Sequence, residues 1–222
     1  WGDEGKGRIV DYLAQKADMV IRFQGGDNAG HTVVNEKGKF GLHILPSGIF
    51  NDNTMNIVGA GTVVNFDRMH SELEEIKKVT GEKIESVFID ERAHIIMPYH
   101  MALDGAEEGK RSESEKIGTT KRGIGPCYQD KAARCGIRAA DILDEETLRK
   151  KLSALLVKKN RELEYYGLPT YTLEELMEKA KGWREEFGNH IIDTNPAVRD
   201  AVEEGRNILL EGQLGIMRDN DW

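Results

Sequence analysis

Residues 1–13 read WGDEGKGRIVDYL, a glycine-rich turn that runs directly into an amphipathic segment. The spacing of apolar residues predicts a helix from Gly7 to Lys16. A turn of this form binds anions, because backbone N–H groups and the helix dipole both favour negative charge at a helix N-terminus. The stretch therefore predicts a nucleotide phosphate site that Lys6 reaches. A capped turn with a solvated Asp3-Glu4 pair is the alternative.

The Asp3-Glu4 pair beside this turn limits the reactions that the predicted phosphate site could perform. Carboxylates repel a phosphate unless they hold a metal ion or move a proton, and Asp3 could do both. A second glycine-rich loop, QGGDNAGHT at 24–32, offers the Asn28 amide for a base or ribose and His31 as an acid or electrophile. A purely structural histidine is the alternative at position 31.

Strands and helices alternate along the chain. Short apolar runs at 17–23, 86–90 and 207–212 predict strands, a hairpin turn is predicted at Lys37-Gly38, and a polar run at 108–116 predicts a mobile loop. Amphipathic patterns predict helices at 67–80, 145–166 and 172–187. This order predicts an α/β fold with a largely parallel sheet. We expect one domain over 1–222, truncated at both ends, with a helical subregion at about 145–187.

Composition excludes some classes of function. The 222 residues are 39% apolar and 32% charged, with a net charge of −8. This balance is typical of a globular protein and disfavours nucleic-acid and membrane-surface binders, which need a basic excess. No apolar run approaches the ~18 residues of a membrane span. Cys127 and Cys135 form no CxxC motif, which predicts a reduced, cytoplasmic setting.

Five segments together resemble the adenylosuccinate synthetases, GTP-dependent enzymes that convert IMP and L-aspartate to adenylosuccinate. They are WGDEGKG (1–7), QGGDNAGHT (24–32), LHILPSGIF (42–50), IGTTKRGIGPCYQDKAAR (117–134) and LLEGQLG (209–215). They follow the order of the family across nearly the whole chain. The resemblance implies a fold of the P-loop nucleotide-binding class: a central, largely parallel sheet flanked by helices, with a helical insertion.

The resemblance also implies catalytic roles. Asp3 corresponds to the base that takes the N1 proton of IMP, so that O6 attacks the γ-phosphate of GTP to give 6-phosphoryl-IMP. Asp3 and the Gly30 carbonyl correspond to the ligands of one Mg²⁺ per subunit. His31 corresponds to the general acid, and Lys6 belongs to the phosphate cradle.

Binding residues follow from the same resemblance. The residues that correspond to the GTP site are Gly2, Asp3, Glu4, Gly5, Lys6, Gly7, Arg8, Gly30, His31 and Thr32. The residues that correspond to the IMP site are Asp3, Glu4, Gly5, Lys6, Asn28, Ala29, Gly30, His31, Thr120 and Arg134. In the family the arginine that matches Arg134 comes from the partner subunit, which implies a homodimer.

The chain departs from the family pattern near its C-terminal end. The family usually reads Glu-Gly-Ala-Gln-Gly where this chain has EGQLG at 211–215, so Leu214 stands at the IMP-contacting glutamine and Gln213 lies one place early. Trp222 replaces a histidine. We transfer the glutamine's role to neither residue. A P-loop-like GTP-binding or GTPase module without IMP chemistry, or an inactive truncated product, are the alternatives.

Overall fold

The computed structural model describes residues 5–110, 112, 114 and 118–213. In chain order the elements are α1 (Lys6–Ala14), β1 (Met19–Arg22), β2 (His31–Asn35), β3 (Gly38–Leu42), β4 (Met55–Val58), β5 (Val63–Val64), α2 (Phe66–Thr80), β6 (Val87–Asp90), β7 (His94–Ile95), α3 (Pro98–Lys110), α4 (Ile124–Ala132), α5 (Glu145–Tyr165), α6 (Leu173–Phe187), β8 (Ile191–Ile192), α7 (Asn195–Glu203) and β9 (Ile208–Glu211). Short 3-10 turns lie at Ser47–Phe50, Ala139–Leu143 and Gly188–His190.

A sheet with strand order β8-β6-β4-β1-β9 forms the centre of a first structural unit, which contains the residues up to Ala93 and from His190 onward. Each neighbouring pair of strands in it is parallel. Alternate side chains of β1 face opposite sides. Val20 packs with Val10 and Ala14 of α1 on one face, while Met19 and Ile21 pack with residues of α7 on the other. The predicted α/β class, a largely parallel sheet flanked by helices, is confirmed.

The hairpin β2–β3 branches from the sheet just after the second glycine-rich loop. Asn35 pairs with Gly38, so the turn residues are Glu36 and Lys37, one position earlier than predicted. Helix α2 begins at its N-cap Asn65, whose side chain accepts the Arg68 N–H, and it ends at Gly81 in the left-handed region (φ 73°). Its buried face includes Glu72 as well as Met69 and Ile76.

Contacts between α-carbons divide the chain into two units, one with residues up to Ala93 and from His190 onward, the other spanning His94–Asn189. The second unit contains α3 to α6, and the predicted helical pair is confirmed as α5 and α6. A capping box between Thr172 and Glu175 starts α6. The single-domain expectation is not tested by this division and stays a prediction.

The polar run at 108–116 is only partly described. Its prediction as a loop is wrong for the first three residues, because α3 continues to Lys110 and buries Glu108, which accepts the Gly118 N–H at 2.7 Å. Residues 111, 113, 115 and 116 lie outside the described part of the chain. In the part that is described, no helix has both the length and the apolar character to cross a membrane.

Candidate active site

The second glycine-rich loop follows β1 directly, at the carboxyl end of the parallel sheet. Ligands of open α/β sheets bind at this edge. Strand β9 runs beside β1 in a register that pairs Arg22 with Glu211 at their ends. Both side chains are fully buried. The sheet therefore places two opposite charges directly beneath the loop that carries the predicted site residues.

Glu211 joins this sheet edge to His31, the first residue of β2. The Glu211 Oε1 atom lies 2.5 Å from His31 Nδ1 and 2.8 Å from Ser47 Oγ, while Oε2 accepts the Ser47 N–H at 2.9 Å. Burial opposes ionisation of Glu211, but the bond from His31, the charge of Arg22 and the Ser47 N–H together lower its pKa below the usual value. His31 is 4% exposed, and its Nε2 atom is buried without a hydrogen-bond partner among the described residues.

The first turn of α1 lies against the same histidine. Gly5 precedes the helix in the left-handed region (φ 75°), and no side chain of the described residues caps this end. A Cβ at Gly7 would stand only 2.8 Å from the Cα and Cβ atoms of His31. Glycine at position 7 therefore lets the helix N-terminus approach the His31 backbone, and an anion bound there would lie close to the histidine.

The LHILPSGIF segment is held from two sides by buried charges. The Glu72 carboxylate accepts the N–H groups of His43, Ile44 and Leu45 at 3.0 to 3.3 Å. The Arg22 guanidinium donates to the carbonyl of His43 at 2.7 Å. Because both polar sides of this backbone are paired, Ser47 is presented to Glu211 in a defined position.

Gln213 fills the space beside the second glycine-rich loop. Its side-chain oxygen accepts the Gly26 N–H at 2.7 Å, and its amide nitrogen donates to the Gly26 carbonyl. A Cβ at Gly25 (φ 84°) would overlap the Gln213 side chain. Both polar ends of Gln213 are thus bonded to the loop backbone. Leu214 and Trp222 lie outside the described residues.

The structure brings the described GTP-site residues of the two glycine-rich loops into one unit. Lys6 and Gly7 form the first turn of α1 with the exposed Arg8, and Thr32 is exposed on β2. In the loop, Ala29 is buried, Gly30 is exposed, and the Asn28 Oδ1 atom is buried without a hydrogen-bond partner in the described chain. Gly2, Asp3 and Glu4 lie outside the described residues.

The two remaining IMP-site predictions lie in the second unit. Thr120 is exposed in the loop before α4. Arg134 is exposed just after α4, with its backbone in the left-handed region (φ 59°). It lines a cavity of about 520 Å³ together with four other cations, Lys131, Arg138, Lys151 and Lys158. This surface suits an anionic group.

Sequence reasoning missed Arg22, Ser47, Glu72 and Glu211 as site residues. The available signal was a charged residue inside an apolar strand pattern, as in MVIR (19–22) and ILLE (208–211). A charge buried in a strand needs a partner, so each strand end indicated a polar contact. The identity of the contact did not follow, since Glu211 and His31 are 180 positions apart.

Of the two predicted Mg²⁺ ligands, Gly30 is the one that lies in the described part of the chain. This ion prefers oxygen ligands such as a carboxylate, a backbone carbonyl and phosphate oxygens. Gly30 is exposed, and no atom of the described residues lies within 4 Å of the position that a Cβ would take there. The Cβ side of the Gly30 backbone is therefore open to a bound group within the described part of the chain.

Known proteins match this chain over its whole length. The adenylosuccinate synthetase family model covers residues 1–222. The chain is 44% identical over 220 residues to adenylosuccinate synthetase 1 of Methanosarcina acetivorans, which covers 99% of this chain and 51% of the relative. It is 44% identical over 222 residues to adenylosuccinate synthetase of Listeria welshimeri, covering 100% and 51%. The chain thus spans about half the length of these curated relatives.

Two solved structures share the fold. A fully ligated adenylosuccinate synthetase from Plasmodium falciparum aligns with a TM-score of 0.88 and 34% identity, covering 100% of this chain and 51% of that one. The succinoaminodeoxyadenylate synthetase of cyanophage S-2L aligns with a TM-score of 0.59 and 20% identity, over 97% of this chain and 49% of that one, which supports the fold alone. With its motifs, sheet and family match in agreement, this chain belongs to the adenylosuccinate synthetase family.

Proposed function

We propose that the protein forms adenylosuccinate from IMP and L-aspartate with GTP as co-substrate and Mg²⁺ as cofactor, in the cytoplasm. The observation that carries the proposal is the contact between the α1 N-terminus and His31, whose buried Nε2 atom has no described partner. A phosphate cradle beside an oriented acid suits phosphoryl transfer, which depends on positioning and on charge stabilisation. Family membership disfavours a GTP-binding module without IMP chemistry.

In this proposal the α1 turn holds the GTP phosphates through backbone N–H groups and Lys6. Asp3 takes the proton from N1 of IMP, O6 attacks the γ-phosphate, and GDP leaves. His31 stabilises charge on the transferred phosphoryl group through Nε2. The amino group of aspartate then displaces phosphate from 6-phosphoryl-IMP. Mg²⁺ held by Asp3 and the Gly30 carbonyl would neutralise charge on the phosphate oxygens.

Product analysis tests this function. The full-length protein that contains these residues is incubated with GTP, IMP, aspartate and Mg²⁺, and we expect adenylosuccinate, GDP and phosphate in equal amounts. Omission of IMP should stop GTP turnover. GTP hydrolysis that is independent of IMP would instead support the GTPase alternative.

For IMP binding we propose that Asn28 contacts the base or ribose and that Thr120 and Arg134 contact the 5′-phosphate. We propose that Arg134 acts on the site of the partner subunit in a two-fold homodimer. Its exposure and the four cations around its cavity support this assignment. Arginine suits the role because its planar guanidinium pairs with two phosphate oxygens.

Subunit mixing tests the shared arginine. Homodimers of Asp3→Asn and of Arg134→Leu should each be nearly inactive. In a mixed dimer one site carries both lesions, while the other has an intact Asp3 and an intact partner Arg134. Random exchange should therefore restore about a quarter of the wild-type activity. Demonstrated exchange without recovery would contradict the shared site.

A further inference from the structure

The Glu211 carboxylate is occupied by hydrogen-bond donors on both oxygens. Oε1 receives Ser47 Oγ–H and faces His31 Nδ1, and Oε2 receives the Ser47 N–H. An ionised carboxylate accepts hydrogen bonds and donates none. Because the two Ser47 donors favour the ionised carboxylate, the 2.5 Å contact with His31 points to a proton on Nδ1.

We propose that Glu211 is a positioning residue that holds His31 in the Nδ1–H tautomer and so leaves Nε2 as the reacting nitrogen. This inference rests on the proposed function for its kinetic consequence, but the tautomer itself does not depend on the substrate. The Nε2 atom is the one that lies buried without a described partner. A proton gained by the ring must enter at Nε2, from which it can be donated to the phosphoryl group.

Glu211→Gln is the direct test, because the amide keeps the shape of the carboxylate. The Ser47 N–H needs an acceptor at the Oε2 position, which orients the amide oxygen there and the NH₂ group toward His31 Nδ1. The amide would then donate to Nδ1 and move the histidine proton to Nε2. The variant should thus reverse the tautomer while it leaves the fold intact.

Imidazole ¹⁵N–¹H NMR spectra read the tautomer directly, with His31→Asn used to assign the signals. We expect the wild-type signal of a ring protonated at Nδ1 and, in Glu211→Gln, the signal of a ring protonated at Nε2. An Nε2–H tautomer in the wild-type protein would overturn the proposal, even if the Gln variant failed to fold. This measurement stays decisive if the protein makes no adenylosuccinate, an outcome that would refute the proposed function alone.

Kinetics provide the second readout. Glu211→Gln should lower kcat by roughly 10²- to 10³-fold and by no more than His31→Asn, because Glu211 acts through that histidine. The KM values for GTP and IMP should stay within about threefold, since substrate contacts remain. In a His31→Asn background the same substitution should have almost no further effect on kcat, because the two residues act as a unit.

Asp90→Asn is the matched control. Asp90 is another fully buried carboxylate at the end of a strand of the same sheet, and it pairs with Arg92 and Thr194 rather than with His31. The Asp90→Asn variant should be less stable than the wild type but should keep kcat within about threefold of the wild-type value. Equal losses of kcat in both variants, or an undiminished effect of Glu211→Gln in the His31→Asn background, would assign Glu211 a merely structural role.

Discussion

Two buried histidine–carboxylate pairs, one in each unit, differ at the ring nitrogen that does not face the carboxylate. In the second unit, His100 Nε2 bonds Asp130 Oδ2 at 2.9 Å, and its Nδ1 accepts the Met97 N–H at 3.0 Å. In the first unit, His31 has one partner, Glu211, and its other nitrogen has no partner in the described chain. A glycine packs tightly against each histidine, Gly7 in one case and Gly123 in the other.

The difference separates a structural histidine from a candidate catalytic one. A buried polar atom without a protein partner is costly, so it indicates an ordered water, a ligand or a reaction that uses it. Both nitrogens of His100 have partners, which is typical of a structural histidine. Each histidine has its own carboxylate partner, so the surroundings of the second ring nitrogen distinguish the two better than the carboxylate does.

Removal of the carboxylate from the satisfied pair should have the largest effect. Asp130 also binds Lys159 Nζ at 2.7 Å, and Lys159 is only 3% exposed. Asp130→Ala removes the closer partner of this buried cation and leaves only the 3.4 Å contact with Glu162 Oε2, so the free energy of unfolding should fall by about 3 kcal/mol. Urea denaturation measures the change. Glu174→Ala, which breaks the exposed pair with Arg149, is the control and should change stability far less. A loss below about 1 kcal/mol for Asp130→Ala would contradict the structural role of the His100–Asp130 pair.

Replacement of each histidine by asparagine should lower activity in the case of His31 and stability in the case of His100. His31→Asn should lower kcat by about 10²- to 10³-fold, the usual loss for one charge-stabilising group, with little change in Tm. His100→Asn should lower Tm and leave the kcat of the folded fraction close to wild type. Steady-state kinetics and calorimetry on both variants provide the measurement. A kcat loss of similar size in the two would remove the distinction.

The two glycines sharpen the comparison further. A Cβ at Gly7 would stand 2.8 Å from the His31 Cα, and one at Gly123 (φ 77°) would stand 2.7 Å from the His100 carbonyl carbon. Each alanine substitution should cost about 1–3 kcal/mol in stability through overlap with backbone atoms. Gly7→Ala alone should also reduce kcat, by roughly tenfold, because it moves the phosphate turn relative to His31. Equal activity of the two variants would contradict the assignment of the α1 turn.

The smallest expected effect is a pH dependence of stability in the second unit. Burial lowers the pKa of His100, which Asp130, Lys159, Tyr99 and Glu162 surround. The unfolded chain takes up a proton at this histidine below about pH 6.5 and the folded chain does not, so stability falls as pH decreases through that value. The slope from this group is at most about 1.4 kcal/mol per pH unit.

Denaturation curves between pH 7.5 and pH 4.5 measure that slope. His100→Gln retains a donor toward Asp130 and removes the titration, so its curve should be flatter. Burial alone would raise the pKa of Asp130, but hydrogen bonds from His100 and Lys159 lower it below the usual value. The contribution of Asp130 to the free energy of unfolding is therefore lost only at a more acidic pH than that of His100. An unchanged slope in His100→Gln would show that other groups carry the dependence.

Local patterns predict the elements whose buried faces are apolar. The long helices α5 and α6, the strand β1 and the strand β9 follow directly from their sequences. Helix α3 was missed because its buried face carries His100, Asp104 and Glu108 beside Tyr99 and Leu103, so its helical period is hidden from a hydrophobicity pattern. Helix α4 was missed for a similar reason, because it begins within a glycine-rich loop and buries Asp130.

The sequence predicted which residue types form the candidate site, but it did not predict the buried residues that hold them in place. Glycines, Lys6 and His31 indicated phosphate chemistry through short-range patterns and the family resemblance. The pairing of Glu211 with His31, and of Gln213 with Gly26, depends on the position of β9 beside β1. Such a long-range choice of neighbouring strands has no signature in either segment alone.

The placement of β9 also determines when the site can form during synthesis. Strand β1 receives its neighbour β4 early, but its other edge stays without β9 until residues 208–211 are made. At about 5–20 residues per second, the 180 positions between His31 and Glu211 take roughly 9–36 s to translate. Throughout that interval the nascent chain exposes an unpaired strand edge and a histidine without its carboxylate, so chaperone contact at β1 would be most useful on the ribosome.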